Sequence, residues 1–65
     1  MNEINDRFQI NMAQELRFAW EDASPKVKPY LERVMFNMGI YKENDCWVLH
    51  FIDDRKYVLG IIKED

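Results

Sequence analysis

Cys46 and His50 are the residues whose chemistry could supply a nucleophile and a general base. They lie four residues apart in the segment Cys46-Trp47-Val48-Leu49-His50-Phe51-Ile52, whose β-branched and aromatic residues predict a strand. Four residues along a strand span about 13 Å, whereas a nucleophile and its base must lie within about 3 Å. The spacing therefore argues against a catalytic dyad, and we interpret His50 as a hydrogen-bonded residue of the core or of an interface.

The remaining reactive side chains form no recognisable site either. Ser24 is the only serine and precedes a proline, so we expect it to cap a helix. Asp53 and Asp54 are adjacent in a predicted turn, point in different directions and have no third ligand at a suitable spacing. The only glycines are Gly39 and Gly60, which excludes a glycine-rich phosphate loop. We predict no enzymatic activity, no metal site and no cofactor.

Composition indicates one small acidic domain spanning residues 1–65. The chain is 48% hydrophobic and carries 12 acidic against 9 basic residues, a net charge of −3 that gives phosphates no large positive field. One cysteine permits no internal disulfide and fits a reducing compartment. The first 20 residues lack the apolar segment of a signal peptide, and no apolar run approaches the ~20 residues of a membrane span. These features predict a cytoplasmic protein.

Two helices are predicted in the first two thirds of the chain. The first spans Ile4 to Ala23, with an apolar half formed by Ile4, Phe8, Met12, Ala13, Leu16, Ala19, Trp20 and Ala23. Residues 7–12 also alternate as a strand would, so the start of this helix stays open. A second helix is predicted from Pro29, with one stripe formed by Tyr30, Leu31, Val34, Met35 and Met38. Gly39 suits the left-handed position that ends a helix.

The last third of the chain predicts a three-stranded antiparallel meander. Ile40–Glu43 forms a short strand joined through Asn44-Asp45 to the strand Cys46–Ile52, with Glu43 opposite Cys46 and Tyr41 opposite Val48. Placing Asp54-Arg55 at the next turn pairs Leu49 with Gly60. The predicted fold is α+β, α-α-β-β-β, with two N-terminal helices packed on the sheet. The alternative is βααβββ, an element order that resembles RelE-like toxins; this chain lacks the clustered basic residues that an RNA-cleaving site would need.

This register makes both faces of the sheet apolar, so each face needs a cover. The helices cover one face, and we expect a partner to cover the other: a second copy of the chain, a larger protein, or both. The predicted partner-binding residues are Tyr41, Val48, His50, Ile52, Tyr57, Leu59 and Ile61, together with Phe36 on the far side of the second helix. No small-molecule substrate is evident.

The function predicted from these features is a non-catalytic protein–protein interaction module. It would act as a homodimer or as a small regulatory or inhibitory subunit of a larger protein. A small nucleic-acid-associated regulator, repressor-like or toxin-antitoxin-like, is the alternative, based on Lys26, Lys28 and Arg33 around the second helix. The identity of the partner, the choice between sheet faces and the oligomer order stay open.

Overall fold

The computed structural model describes residues 3–63, with side chains from Asn5 onward, and has the predicted α+β architecture. Its elements in chain order are α1 Glu3–Asp22, α2 Lys28–Asn37, β1 Ile40–Glu43, β2 Cys46–His50 and β3 Lys56–Ile61. The strands form an antiparallel sheet in the order β1-β2-β3. Residues 7–12 are helical, which excludes the βααβββ alternative. Ile4 was predicted to lie on the apolar half of the first helix, and its side chain is outside the described part of the structure.

A tight turn at Ser24 separates the two helices. The carbonyl oxygen of Ser24 accepts hydrogen bonds from the amides of Val27, at 3.0 Å, and Lys28, at 3.1 Å. Val27 is the N-cap residue of α2, with no side-chain capping bond, and Pro29 lies at the start of the helix. The prediction that Ser24 caps a helix is therefore wrong for its side chain. Ser24 closes the turn through its backbone.

The junction between α2 and the sheet agrees with the prediction. Gly39 has φ +84°, and its amide donates to the carbonyl of Phe36 at 3.0 Å. Asn44 and Asp45 both have positive φ, as a two-residue type I′ hairpin requires. The β1–β2 register is consequently the predicted one, with Glu43 opposite Cys46 and Tyr41 opposite Val48.

The β2–β3 register differs from the prediction because the turn has another length. The amide of Phe51 donates to the carbonyl of Arg55 at 2.8 Å, which leaves a three-residue loop, and Asp54 at its end has φ +71°. This geometry is typical of three-residue hairpins, whereas the prediction placed a two-residue turn at Asp54-Arg55. Leu49 therefore pairs with Tyr57 instead of Gly60.

A β-bulge shifts the register again farther from the turn. Val48 lies opposite Val58 and Trp47 lies opposite Gly60, so Leu59 is the extra residue of β3. Leu59 points into the helix-facing core and is only 6% exposed. Sequence periodicity assumes an unbroken alternation and cannot anticipate this change of side.

The core lies between the helices and one face of the sheet. It contains Ala13, Trp20, Met35, Ile40, Trp47, Leu49, Phe51 and Leu59. Trp20 and Trp47 meet edge to face with ring centroids 5.2 Å apart. The indole nitrogen of Trp20 donates to Glu32 at 2.9 Å, whereas the buried indole nitrogen of Trp47 has no acceptor among the described residues.

Each helix buries a narrower arc than the sequence predicts. On α1, Ala13 and Trp20 are buried, while Phe8, Met12 and Ala19 from the predicted apolar half are exposed. A small three-stranded sheet offers one packing surface, and a helix buries only about a 100° stripe against it. These three side chains face outward, whereas Leu16 packs against the core.

Candidate functional site

Four of the predicted partner-binding residues share the outer face of the sheet, the side away from the helices. Tyr41 and Val48 are paired across β1 and β2, His50 follows Val48 by two residues, and Ile61 lies opposite Cys46. Directly opposed residues share a face, and alternate residues of a strand point the same way. Val58 joins this face opposite Val48.

The other four predicted residues lie elsewhere. Leu59 belongs to the core, and Tyr57 lies opposite the core residue Leu49, so neither forms part of the outer face. Ile52 is in the β2–β3 loop and is 96% exposed. Phe36 is an exposed residue of α2 and lines a cleft beside β1. The predicted surface is thus dispersed, because the three-residue loop and the bulge change which β3 side chains share a side.

An ion pair crosses the middle of the outer face. Lys56 of β3 donates to Glu43 of β1 at 3.2 Å, and these strands flank β2. The hydrogen bond to Glu43 raises the pKa of Lys56 above its usual 10.5. Val48 lies on the central strand between the two charged residues and is only 3% exposed. The outer face therefore covers its own central apolar residue with a polar bridge.

His50 takes part in a second polar bridge on the same face. Its Nδ1 lies 3.2 Å from the Tyr41 hydroxyl and its Nε2 lies 3.3 Å from an oxygen of Asp54. A carboxylate only accepts, so Nε2 carries the proton, and the tyrosine hydroxyl donates to Nδ1 in the neutral tautomer. His50 and Cys46 occupy opposite ends of β2. The arrangement ties β1 and the β2–β3 loop to β2.

The apolar surface left on the outer face is small. Val58 is 60% exposed and Ile61 is 70% exposed. At about 150–250 Å² for a fully exposed large side chain, these two residues present roughly 200 Å². Isolated surface residues of this kind are ordinary in monomeric proteins.

Two side chains of α1 cover the edge of β3 at the bulge. The Gln14 amide donates to the carbonyl of Leu59 at 3.0 Å and accepts from Arg17 at 2.8 Å. Arg17 in turn donates to Glu21 at 3.0 Å and lies over Gly60, where an added Cβ would be 3.0 Å from the guanidinium carbon. The sequence places Gln14 and Arg17 on a polar helix face. In the structure they occupy part of the outer edge of β3.

Charged side chains also fasten the β2–β3 loop to α1. Arg55 donates to Asp6 at 2.8 Å and to Asp53 at 2.8 Å. The hydrogen bond from Arg55 lowers the pKa of Asp53 below 3.8, and the two carboxylates raise the pKa of Arg55. Arg55 also lies 4.7 Å from the centre of the Phe51 ring. The loop is held in place next to the first turns of α1.

A further exposed apolar surface lies on the two helices and was not among the predicted partner-binding residues. We call it the helical stripe: Phe8, Met12, Val27, Tyr30, Val34 and Met38. Tyr30 is 72% exposed, Phe8 is 63% exposed, and the other members are each more than a third exposed. Residues four apart on a helix share a face, which joins Phe8 to Met12 and joins Tyr30, Val34 and Met38. The sequence did contain an indication of this surface, because the apolar residues of each helix spread over half of its helical wheel.

A cleft connects the two helices at one end of the helical stripe. Met12 and Met38 both line it, together with Ile52 from the loop, and its volume is about 460 Å³. Gln9, Asn37 and His50 add polar groups at its wall. Met12 of α1 and Met38 at the end of α2 thus border the same cleft, and the exposed Ile52 lies on its sheet side.

Comparison with known proteins gives no match from which a function could be inferred. The chain matches no protein-family model, no curated protein and no solved structure. Within residues 3–63, no helix is long and apolar enough to cross a membrane. The same range contains no group of three or more histidine, cysteine or acidic side chains placed to hold a metal ion.

Proposed function

We propose that this protein is a non-catalytic protein–protein interaction module of the cytoplasm. It works as a homodimer or as a small subunit that regulates or inhibits a larger protein. The observation that carries the proposal is the helical stripe, six exposed apolar side chains on the two helices and at the caps of α2. Contiguous apolar patches larger than a few hundred Å² are rare on monomeric soluble proteins and mark interaction sites.

The polar groups of the molecule support this proposal because they make structural connections. The ring nitrogens of His50 lie beside Tyr41 and Asp54, and Lys56 bonds Glu43 across the sheet. The nucleic-acid-associated alternative gains no comparable support. Lys28 lies 4.3 Å above the Trp20 ring, and the net charge is −3.

Paired substitutions test the proposal in cells that express the protein. Two copies with different tags are expressed together, and the proteins recovered with each tag are quantified. We expect a stoichiometric partner, either the other copy or another protein, that is lost with Tyr30→Gln and kept with Cys46→Ala. Cys46→Ala is the matched control, because it removes a reactive side chain at the other end of β2 from the cleft and leaves the helical stripe intact.

The opposite pattern would contradict the proposal. Absence of any stoichiometric protein partner for the unmodified chain would do so, as would an activity in those cells that His50→Gln abolishes while the fold is unchanged. Circular dichroism of each variant establishes that its fold is preserved.

A further inference from the structure

We propose that the helical stripe is a homodimer interface, in which the α1–α2 pair of one molecule packs on the same pair of a second copy. This inference rests on the proposed function and names its partner. It also moves the predicted interface from the outer face of the sheet to the opposite side of the molecule.

The helical stripe and the outer face of the sheet differ in how much apolar area they expose. At about 150–250 Å² for a fully exposed large side chain, the six residues of the stripe present roughly 600 Å² per molecule. Complete burial of these side chains in both copies would remove roughly 1,200 Å² from solvent, the lower limit for stable specific interfaces. Ile52 at the end of the stripe adds to this area. The outer face of the sheet, with Val58 and Ile61, presents about a third as much apolar surface.

A two-fold symmetric dimer is compatible with an interface that extends over two helices. In a two-fold dimer the same patch is used twice, so any contact that α1 of one molecule makes with α2 of the other is formed a second time. Two helical pairs packed in this way form a four-helix layer with a sheet on each side. Such packing covers the second apolar side of each helix, which the small sheet cannot reach.

Exposed charges along the two helices are complementary. Glu15 and Asp22 lie seven and fourteen residues after Phe8 and are exposed on the same side of α1. Lys26 lies two residues before α2, next to Val27, and Arg33 lies in the middle of α2; both are exposed. Packing α1 on α2 of a second copy brings acidic residues toward basic ones twice, by symmetry.

Light scattering on a dilution series tests the inference, with a matched pair of valines. Val34 belongs to the stripe and Val58 to the outer face of the sheet, and both are exposed. We expect a dimer whose dissociation constant rises roughly 30-fold or more with Val34→Asn or Tyr30→Gln, as at a central interface position. Val58→Asn should change it less than about three-fold. Circular dichroism of every variant tests whether the fold is kept.

Amide chemical shifts of the unmodified protein give a second readout that needs no variant. On dilution, shifts that change along residues 8–12 and 27–38 support the inference. A charge exchange adds a third: Glu15→Arg should weaken the dimer several-fold, and adding Arg33→Glu should restore it.

The measurements distinguish failure of this inference from failure of the proposed function. A dimer that Val58→Asn breaks and Val34→Asn does not would overturn this inference and leave the proposed function standing. A monomer at every concentration would also overturn it, and the proposed function would then depend on the stoichiometric partner sought with tagged copies. If both measurements fail, both proposals are wrong.

Discussion

On the outer face of the sheet, the Glu43–Lys56 ion pair crosses the strand that carries Val48, and that valine is 3% exposed. On the helical stripe, Val34 is 46% exposed and has apolar neighbours one turn away on either side. Both surfaces carry apolar residues that face away from the core. The difference teaches that apolar residues in a sequence do not by themselves locate an interface, because a polar bridge can cover them within the molecule.

The sheet can provide such bridges because its side chains stand close together. Directly opposed residues on neighbouring strands are about 5 Å apart, so lysine and glutamate can reach each other across a central strand. The solvent side of a helical pair curves away, and its side chains diverge. Apolar residues there stay exposed unless another molecule packs on them.

The largest expected difference between the two surfaces is the effect of the same substitution at Val48 and at Val34 on the stability of the fold. Val48→Asn should destabilise the fold by about 2–4 kcal/mol, because it removes a buried apolar side chain and buries an amide without a partner. Val34→Asn should cost less than about 1 kcal/mol, since valine and asparagine have similar helix propensities. Urea denaturation at low protein concentration measures both. Equal losses would mean that the polar bridge does not cover Val48.

The joint between the helical layer and the sheet should be the next most sensitive position. An added Cβ at Gly39 would lie 2.7 Å from the His50 carbonyl oxygen, and its φ of +84° disfavours alanine. We expect Gly39→Ala to cost about 2 kcal/mol. Gly60→Ala is the control: it approaches only the mobile end of Arg17 and should cost under about 1 kcal/mol. Thermal unfolding ranks the two, and a reversed order would contradict the described junction.

The two tryptophans between the layers should differ by a smaller amount. Trp20→Phe loses the hydrogen bond to Glu32, whereas Trp47→Phe removes a buried indole N–H that lacks an acceptor among the described residues. Both substitutions leave a similar void, so Trp20→Phe should cost about 1 kcal/mol more. Denaturant midpoints of the two variants, measured side by side, give the difference. A larger loss for Trp47→Phe would indicate that its indole nitrogen has a partner.

The smallest effect concerns the ion pair itself, which is partly exposed. Glu43 favours the protonated form of Lys56 in the folded state and so raises its pKa above 10.5. Its contribution is present below 10.5 and is lost as the pH rises through the higher folded-state pKa. NMR titration should show that Glu43→Gln returns the Lys56 pKa toward 10.5. The stability difference between this variant and the unmodified chain should shrink at strongly alkaline pH; a Lys56 pKa unchanged by the variant would refute the bridge.

Local chemistry explains which parts of the fold could be predicted. Apolar periodicity indicated both helices, and the run of β-branched and aromatic residues indicated the strands. Asn44-Asp45 and Gly39 are residue types that tolerate positive φ, so the first hairpin and the end of α2 were predicted correctly. The partner-binding residues of β3 were predicted from unbroken alternation, and that step failed for Tyr57 because of the loop Ile52–Asp54 and for Leu59 because of the bulge.

The order and type of the helices and strands follow from the sequence, because these depend on neighbours within a few residues. The folded structure sets the β2–β3 register, the burial of Leu59 and the side of α1 that meets the sheet. Each of these depends on contacts between distant segments, such as Gln14 with Leu59 and Arg55 with Asp6. A helix that is apolar over half of its circumference could bury any of several arcs. The small sheet has room to cover only one of them. The arc that the sheet leaves uncovered forms the proposed interface.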